Sequence, residues 1–183
     1  MNLTEKTIDG EYKYKGAIIK LRVDKALLPD GSVHSREVVE HGGGVCVVPL
    51  TENGEVLCVR QFRYPYKEVV LEIPAGKRDG KEDTLLCGTR ELKEETGCTA
   101  DDIMPLGELY PSPGYCGEII TMYLATGLHY GSQQTDEDEF LEVEKIKLSE
   151  LVDMILNGEI KDAKTQTAVL KVNELLRRGK IKL

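Results

Sequence analysis

Glu91, Glu94 and Glu95 lie within five residues of one another, and so acidic a run either faces solvent or holds a cation. Wound as one helix at about 100° per residue, Glu91 and Glu95 fall within about 40° of each other, with Glu94 about 60° further round. Three carboxylates then converge. Like charges at i,i+4 cost a helix roughly 0.2 to 0.5 kcal/mol per pair, so the cluster is locally unfavourable unless something cationic compensates. Arg90 can reach Glu94 at i+4 and can meet Glu82 where the loop enters the helix. Glu91 and Glu95 remain, and such a pair suits a hard divalent cation that prefers oxygen ligands. From these three carboxylates alone, a solvated helical face is the commoner reading.

The helix that carries them is expected over 83–96, with Asp83 able to cap it and Gly97 placed to end it. Leu85, Thr89, Leu92 and Thr96 share a narrow stripe beside Gly88 that can pack on a sheet. Upstream, 17–40 reads as a hairpin in which IIKLRV and VHSREVV flank the turn residues Pro29, Asp30 and Gly31. The run Gly42, Gly43 and Gly44 is either a joint or a strand entry, and the joint is favoured. VCVVPL and VLCVRQF flank TENGE, where Asn53 and Gly54 signal a two-residue hairpin. A short strand at 69–73 is closed by Pro74, Ala75 and Gly76. Downstream, strands are expected at 103–110 and 119–126 around Pro111, Ser112, Pro113 and Gly114. An acidic loop at 136–139 leads to a strand at 140–146, a short helix capped by Ser149, and an amphipathic helix over 162–178. Strands interleaved with helices predict a mixed α/β or α+β domain.

Composition narrows the partners. A chain of 183 residues holds one sizeable core plus a small appendage. The net charge of −8 argues against a nucleic-acid binder, which needs clustered Lys and Arg. The basic run at 177–182 reads as a helix end complementing its dipole. Five cysteines without CxxC spacing suit neither a disulfide framework nor a zinc site, and read as small buried hydrophobes in a reducing cytoplasm. No apolar run approaches the roughly 20 residues needed to span a bilayer, and the polar N-terminus is unlike a signal peptide. A soluble cytoplasmic protein is expected.

Context changes the reading of the acidic cluster. Gly76, Glu82, Arg90, Glu91, Leu92, Glu94, Glu95 and Gly97 stand in GKRDGKEDTLLCGTRELKEETGC, which resembles the Nudix box, G-x5-E-x7-R-E-U-x-E-E-x-G-U with U an apolar aliphatic residue. Every charged and glycine position matches. Cys98 is the one departure, standing where Ile, Leu or Val is usual; Cys is small and apolar, so the departure touches packing and not metal binding.

The resemblance implies the Nudix fold, an α/β/α sandwich with a mixed sheet in the α+β class, over 42–183, with 1–41 a small antiparallel N-terminal β region. It implies hydrolysis of a nucleoside diphosphate linked to another moiety, with Mg2+ or Mn2+ held by the box helix. Glu91 and Glu95 would be direct ligands and the Ala75 carbonyl would complete the site. Glu94 would support or share a metal, while Arg90 and Glu82 orient the cluster. Divalent ions offset the charge of a diphosphate and lower the pKa of a bound water. The general base must lie within hydrogen-bond reach of that water. In ADP-ribose pyrophosphatases an acidic loop between the last strands carries it, and here Glu139 matches best, with Glu137 second. Without the box, that loop would read as a solvated tip.

Pro113 lies fifteen residues after Cys98, a spacing that resembles the ADP-ribose pyrophosphatase subgroup, with Gly114 beside it in a tight turn. VRQFRYP at 59–65 and LEIPAG at 71–76, which includes Glu72, resemble the same subgroup, where strand arginines reach the diphosphate and terminal ribose. Arg63 is the first candidate contact, with Arg60 and Arg36 behind it; Glu72, Pro113 and Gly114 complete the expected substrate-binding set. Alternation along a strand puts Arg60 and Arg63 on opposite faces, so at most one touches substrate. For the adenine, a chain without Trp offers Tyr12, Tyr14 or backbone groups. The subgroup commonly exchanges N-terminal strands between subunits, which implies a homodimer. The expected reaction is Mg2+-dependent cleavage of ADP-ribose to AMP and ribose 5-phosphate. The rivals are another sugar nucleotide, such as ADP-glucose or GDP-mannose, and a non-catalytic nucleotide-sensing module. Degenerate modules usually lose box glutamates, and all four are retained here.

Overall fold

In the computed structural model, which describes residues 2–135 and 139–183, the chain opens with an antiparallel sheet. Its strands are β1 (Lys6–Lys15), β2 (Ile19–Leu27) and β3 (Val33–His41), in the order β1-β2-β3. The β2–β3 turn follows the turn chemistry of its residues: the Leu28 N–H donates to the Ser32 carbonyl and the Asp30 carboxylate accepts from the Ser32 N–H and hydroxyl. β1 is an addition to the expected hairpin. All its residues are exposed, so no apolar alternation marks it, and the ladder to β2 through pairs such as Tyr12↔Arg22 defines it. Residues 110–119 join this sheet, because Val39 donates its N–H to the Tyr115 carbonyl (2.8 Å) and accepts from the Gly117 N–H (2.9 Å). One unit therefore comprises the residues up to Gly43 with Tyr110–Ile119, and the other Gly44–Leu109 with Ile120–Leu183. The boundary falls inside the glycine run, and Gly44 is also a strand entry.

The second unit contains β4 (Gly44–Pro49), β5 (Glu55–Arg63), β6 (Glu68–Glu72), β7 (Ala75–Lys77), α1 (Thr84–Thr96), β8 (Cys98–Leu109), β9 (Ile120–Tyr130), β10 (Leu141–Lys147), α2 (Leu148–Leu156) and α3 (Ala163–Arg177). A mixed sheet has the order β7-β4-β9-β8, with β4 and β9 parallel, and an antiparallel sheet has the order β10-β5-β6. All six β4 residues are buried, as expected of a strand covered on both faces. Val45 and Val47 face one cluster with Tyr123, Leu92 and Cys87 of α1. Cys46 and Val48 face another with Met122, Leu151 of α2, and Val169 and Val172 of α3. Helices thus cover both faces of the mixed sheet, the α+β sandwich expected.

Two local expectations are corrected. TENGE does form a turn, with the Gly54 N–H donating to the Thr51 carbonyl, the Thr51 N–H to the Glu55 carbonyl and an isolated bridge Leu50↔Val56 beside it, but β4 and β5 belong to different sheets. The partners the two strands find far along the chain, β9 and β10, outweigh the local signal. Ser149 does not cap α2; Lys147 precedes the helix and makes no side-chain cap bond. All five cysteines are free thiols, and four are buried. No helix among the described residues is long and apolar enough to cross a membrane.

Candidate active site

Asp83 and Gly97 set the ends of α1. Asp83 is extended (φ −62°, ψ 139°), and its carboxylate accepts from the Leu85 and Leu86 N–H groups at 2.9 and 3.2 Å, satisfying donors that lack a helical partner. Gly97 adopts a left-handed backbone (φ 71°) and donates its N–H to the Lys93 carbonyl; a Cβ there would stand 2.6 Å from the Gly131 carbonyl oxygen.

The buried face of α1 is turned from the stripe read in the sequence. Leu85 is 43% exposed and Thr89 is exposed, whereas Cys87, Gly88, Glu91, Leu92, Glu95 and Thr96 are buried. Gly88 decides this: a Cβ there would lie 3.3 Å from the Tyr123 ring and 3.4 Å from Val47, so the helix approaches the sheet at that point. The i,i+4 row Cys87, Glu91 and Glu95 consequently turns inward. Glu91 is 7% exposed and Glu95 only 1%, which removes the solvated-face reading for this pair. Burial pushes the Glu91 carboxyl up to about 7 despite the offsetting Arg90 charge, with Glu94 and Glu139 adding repulsion. Burial likewise pushes Glu95 up to about 8, against one bond from the Ala75 N–H (3.1 Å).

Arg90 organises the remaining carboxylates. Its Nη1 donates to Glu91 Oε1 and Glu94 Oε2, both at 2.8 Å, while Nε and Nη2 reach Glu82 Oε1 (3.1 Å) and Oε2 (3.0 Å). Nη2 also donates to the Lys77 carbonyl (3.2 Å), so all five guanidinium N–H groups are engaged. The Arg90 bonds hold Glu82 down to about 2. Gly76 makes room for the cluster: a Cβ there would sit 1.9 Å from Glu91 Oε1, so no larger residue leaves that carboxylate in place.

Beyond α1, residues 131–134 are anchored on the helix end. Gly131 donates its N–H to the Gly97 carbonyl (2.8 Å), Gln134 to that of Glu94 (2.9 Å), and the Gln133 side chain to that of Glu95 (2.6 Å). Glu139 is half-buried, and its charge acts on both Glu91 and Glu95. Glu137, the second candidate base, lies outside the described residues.

Arg63 is brought to the same region, since its charge acts on Glu95. It forks onto Glu72, Nε to Oε1 at 2.6 Å and Nη2 to Oε2 at 2.7 Å. Burial alone would raise the Glu72 carboxyl, but Arg63 and Lys164 outweigh it and hold it below the usual range. Arg60 instead pairs with Glu144 at 2.8 Å, as strand alternation requires. In the N-terminal unit, Arg36 forks onto Glu5 with both bonds at 2.8 Å, and the Tyr12 hydroxyl donates to Glu40. Pro113 and Gly114 lie in the 110–119 segment of that unit. Sequence reasoning missed Lys164 and Thr165, both buried and linked to Asp162. Asp162 at the start of a helix was legible as a cap, but nothing in the pattern marked Lys164 as buried.

The residues fit a hard divalent cation by their chemistry. Two buried carboxylates lie close together, offset only in part by Arg90, Arg63 and the Ala75 N–H, and every donor is oxygen.

The family model described as NUDIX domain matches residues 40–168, across the whole of this cluster. The chain belongs to the Nudix family. A second model, described as nucleoside diphosphate sugar hydrolase N-terminal domain, matches residues 5–39 of this Nudix protein. An ADP-ribose pyrophosphatase of Bacillus subtilis (strain 168) is 38% identical, over 98% of this chain and 99% of that protein. A protein of Bacillus methanolicus named methanol dehydrogenase activator is also 38% identical, over 94% of this chain and 96% of its own. A crystal structure of an ADP compounds hydrolase shares the fold with a TM-score of 0.85 at 22% identity, covering 99% of this chain and 100% of that one. The chain is a Nudix hydrolase, of a family that depends on divalent metal.

Proposed function

We propose that this Nudix hydrolase cleaves the pyrophosphate of ADP-ribose to AMP and ribose 5-phosphate, with Mg2+ held by Glu91, Glu95 and the Ala75 carbonyl. The observation that carries the reading is the buried pair Glu91 and Glu95, with Glu91 against Gly76, two carboxylates raised by burial despite the cations near them. When bound, the cation offsets diphosphate charge and acidifies a water. Arg90 fixes the orientation of Glu91, Glu94 and Glu82 through four of its N–H groups. Glu139 takes the proton of the attacking water as the water oxygen bonds to phosphorus and the P–O bond to the leaving phosphate breaks. Arg63, locked on Glu72, turns its Nη1 toward the diphosphate, where a guanidinium suits phosphate oxygens. Arg36 has both fork nitrogens on Glu5, so the diphosphate contact is assigned to Arg63.

We further propose a cytoplasmic homodimer joined through the N-terminal unit, whose sheet exposes Ile8, Tyr14, Ile19 and Val33. Light scattering on the purified chain checks this, and a monomeric mass at micromolar concentration would contradict it. The activity itself is tested by incubating the protein with ADP-ribose, ADP-glucose and GDP-mannose plus Mg2+ and following nucleoside monophosphate release. The highest kcat/KM is expected on ADP-ribose. A preference for GDP-mannose would reassign the substrate, and no release from any of the three would refute the reading.

A further inference from the structure

Lys164 is a buried cation with no part in the chemistry described so far. It is 9% exposed at the first turn of α3, and its ammonium meets both Glu72 and Asp162 Oδ1, the latter at 2.9 Å. Asp162 also accepts from the Thr165 N–H (2.8 Å) and hydroxyl (2.6 Å), and that hydroxyl accepts from the Ile73 N–H (3.0 Å). The start of α3 is thereby fastened to the end of β6. Thr165 and Asp162 alone would make that fastening, so the fold does not require an ammonium here. A buried charge is costly unless paired, and a packed apolar side chain of similar volume is often as stabilising.

The ion pairs suggest what Lys164 adds. Glu72, 1% exposed, is clamped from two sides, by the ammonium and by the Arg63 fork. Arg63 spends Nε and Nη2 on Glu72, while its Nη1 makes no hydrogen bond among the described residues and its side chain remains 37% exposed. With the Glu72 carboxylate immobilised, the plane of the guanidinium is fixed, and so is the direction of its unused N–H groups.

We propose that Lys164, acting through Glu72, is a positioning residue that aims Arg63 Nη1 at a diphosphate oxygen and so sets affinity for the sugar nucleotide. The proposal rests on the reading of Arg63 as a diphosphate contact. Lys164→Met in the full-length protein keeps an unbranched side chain one atom shorter and removes its charge. With ADP-ribose and Mg2+, KM rises roughly tenfold to a hundredfold, as expected when a binding group loses its geometry, while kcat changes by no more than about threefold. In an Arg63→Ala background the same substitution raises KM no further, because both act on one contact.

An unchanged KM with only a lower denaturation midpoint overturns the proposal, as does multiplication of the two effects in the double variant. Should Lys164→Met fail to fold, Asp162→Asn decides. It retains a capping side chain and breaks only the outer ion pair; KM rises less but in the same direction, and a wild-type KM refutes the idea. A wild-type protein that hydrolyses none of the sugar nucleotides removes the functional reading and this proposal with it. Wild-type turnover with an indifferent Lys164→Met removes the proposal alone.

Discussion

Metal-free protein loses stability as pH rises from about 5 to about 8.5, and Mg2+ returns that stability chiefly at the alkaline end. Glu91 and Glu95 have an ordinary value of 4.5 but titrate near 7 and 8 in the folded chain. Between those limits the folded state binds more protons than the unfolded one. The stabilisation is therefore complete below about pH 4.5 and is lost as pH rises through the folded values. At about 1.4 kcal/mol per pH unit of displacement, the two groups together are worth up to about 8 kcal/mol. For a chain of this size, each kcal/mol moves Tm by about 2–4 °C, so a fall of order 20 °C is expected. Glu72 and Glu82, held below the usual range, act in the opposite sense, but only as pH drops below about 4.5, outside the window. The assay is circular-dichroism melting in EDTA and in millimolar Mg2+ at steps of pH, with Glu91→Gln/Glu95→Gln as control. A flat or rising EDTA profile in the wild type would refute the reasoning, as would an Mg2+ increment equal at both ends of the range.

Further outcomes follow from individual residues. Glu139→Gln lowers kcat on the preferred sugar nucleotide by roughly 10² or more, the range for general acid-base catalysis, with an unchanged circular-dichroism spectrum; a clearly larger loss from Glu137→Gln would transfer the role. Gly76→Ala drives the flexible Glu91 carboxylate aside instead of disrupting backbone, because the added Cβ would meet its Cδ and Oε1 at 1.9 Å. Turnover then falls by about 10² while the melting point barely moves, and a variant with near-normal turnover would show that Glu91 is not held where it matters.

The fold was legible where local chemistry and tertiary partners agree. Asp83 and Gly97 bound α1 because a capping carboxylate and a left-handed glycine act within one turn of chain. The TENGE hairpin failed for the converse reason: Asn53 and Gly54 turn the chain, but the partners of β4 and β5 lie some 75 and 85 residues on, at β9 and β10. β1 escaped notice because a strand exposed along its whole length carries no apolar period. The acidic triad and Arg90 were readable from spacing, since helical geometry fixes their angles. The orientation of that helix was not, because Gly88 and the row below it pull Glu91 and Glu95 inward, and the depth of burial depends on Val47 and Tyr123 across the sheet. Lys164 was invisible for a related reason: its partner Glu72 is 92 residues away.

The central claim is that one buried face of α1 presents Glu91 and Glu95 to a divalent cation that meets a diphosphate. Anomalous diffraction from crystals grown with Mn2+ and a methylene-bridged ADP-ribose analogue tests it most directly. A peak is expected within about 2.0–2.3 Å of carboxylate oxygens of both glutamates, in contact with the analogue's phosphates. A bound analogue with no metal at either carboxylate would contradict it.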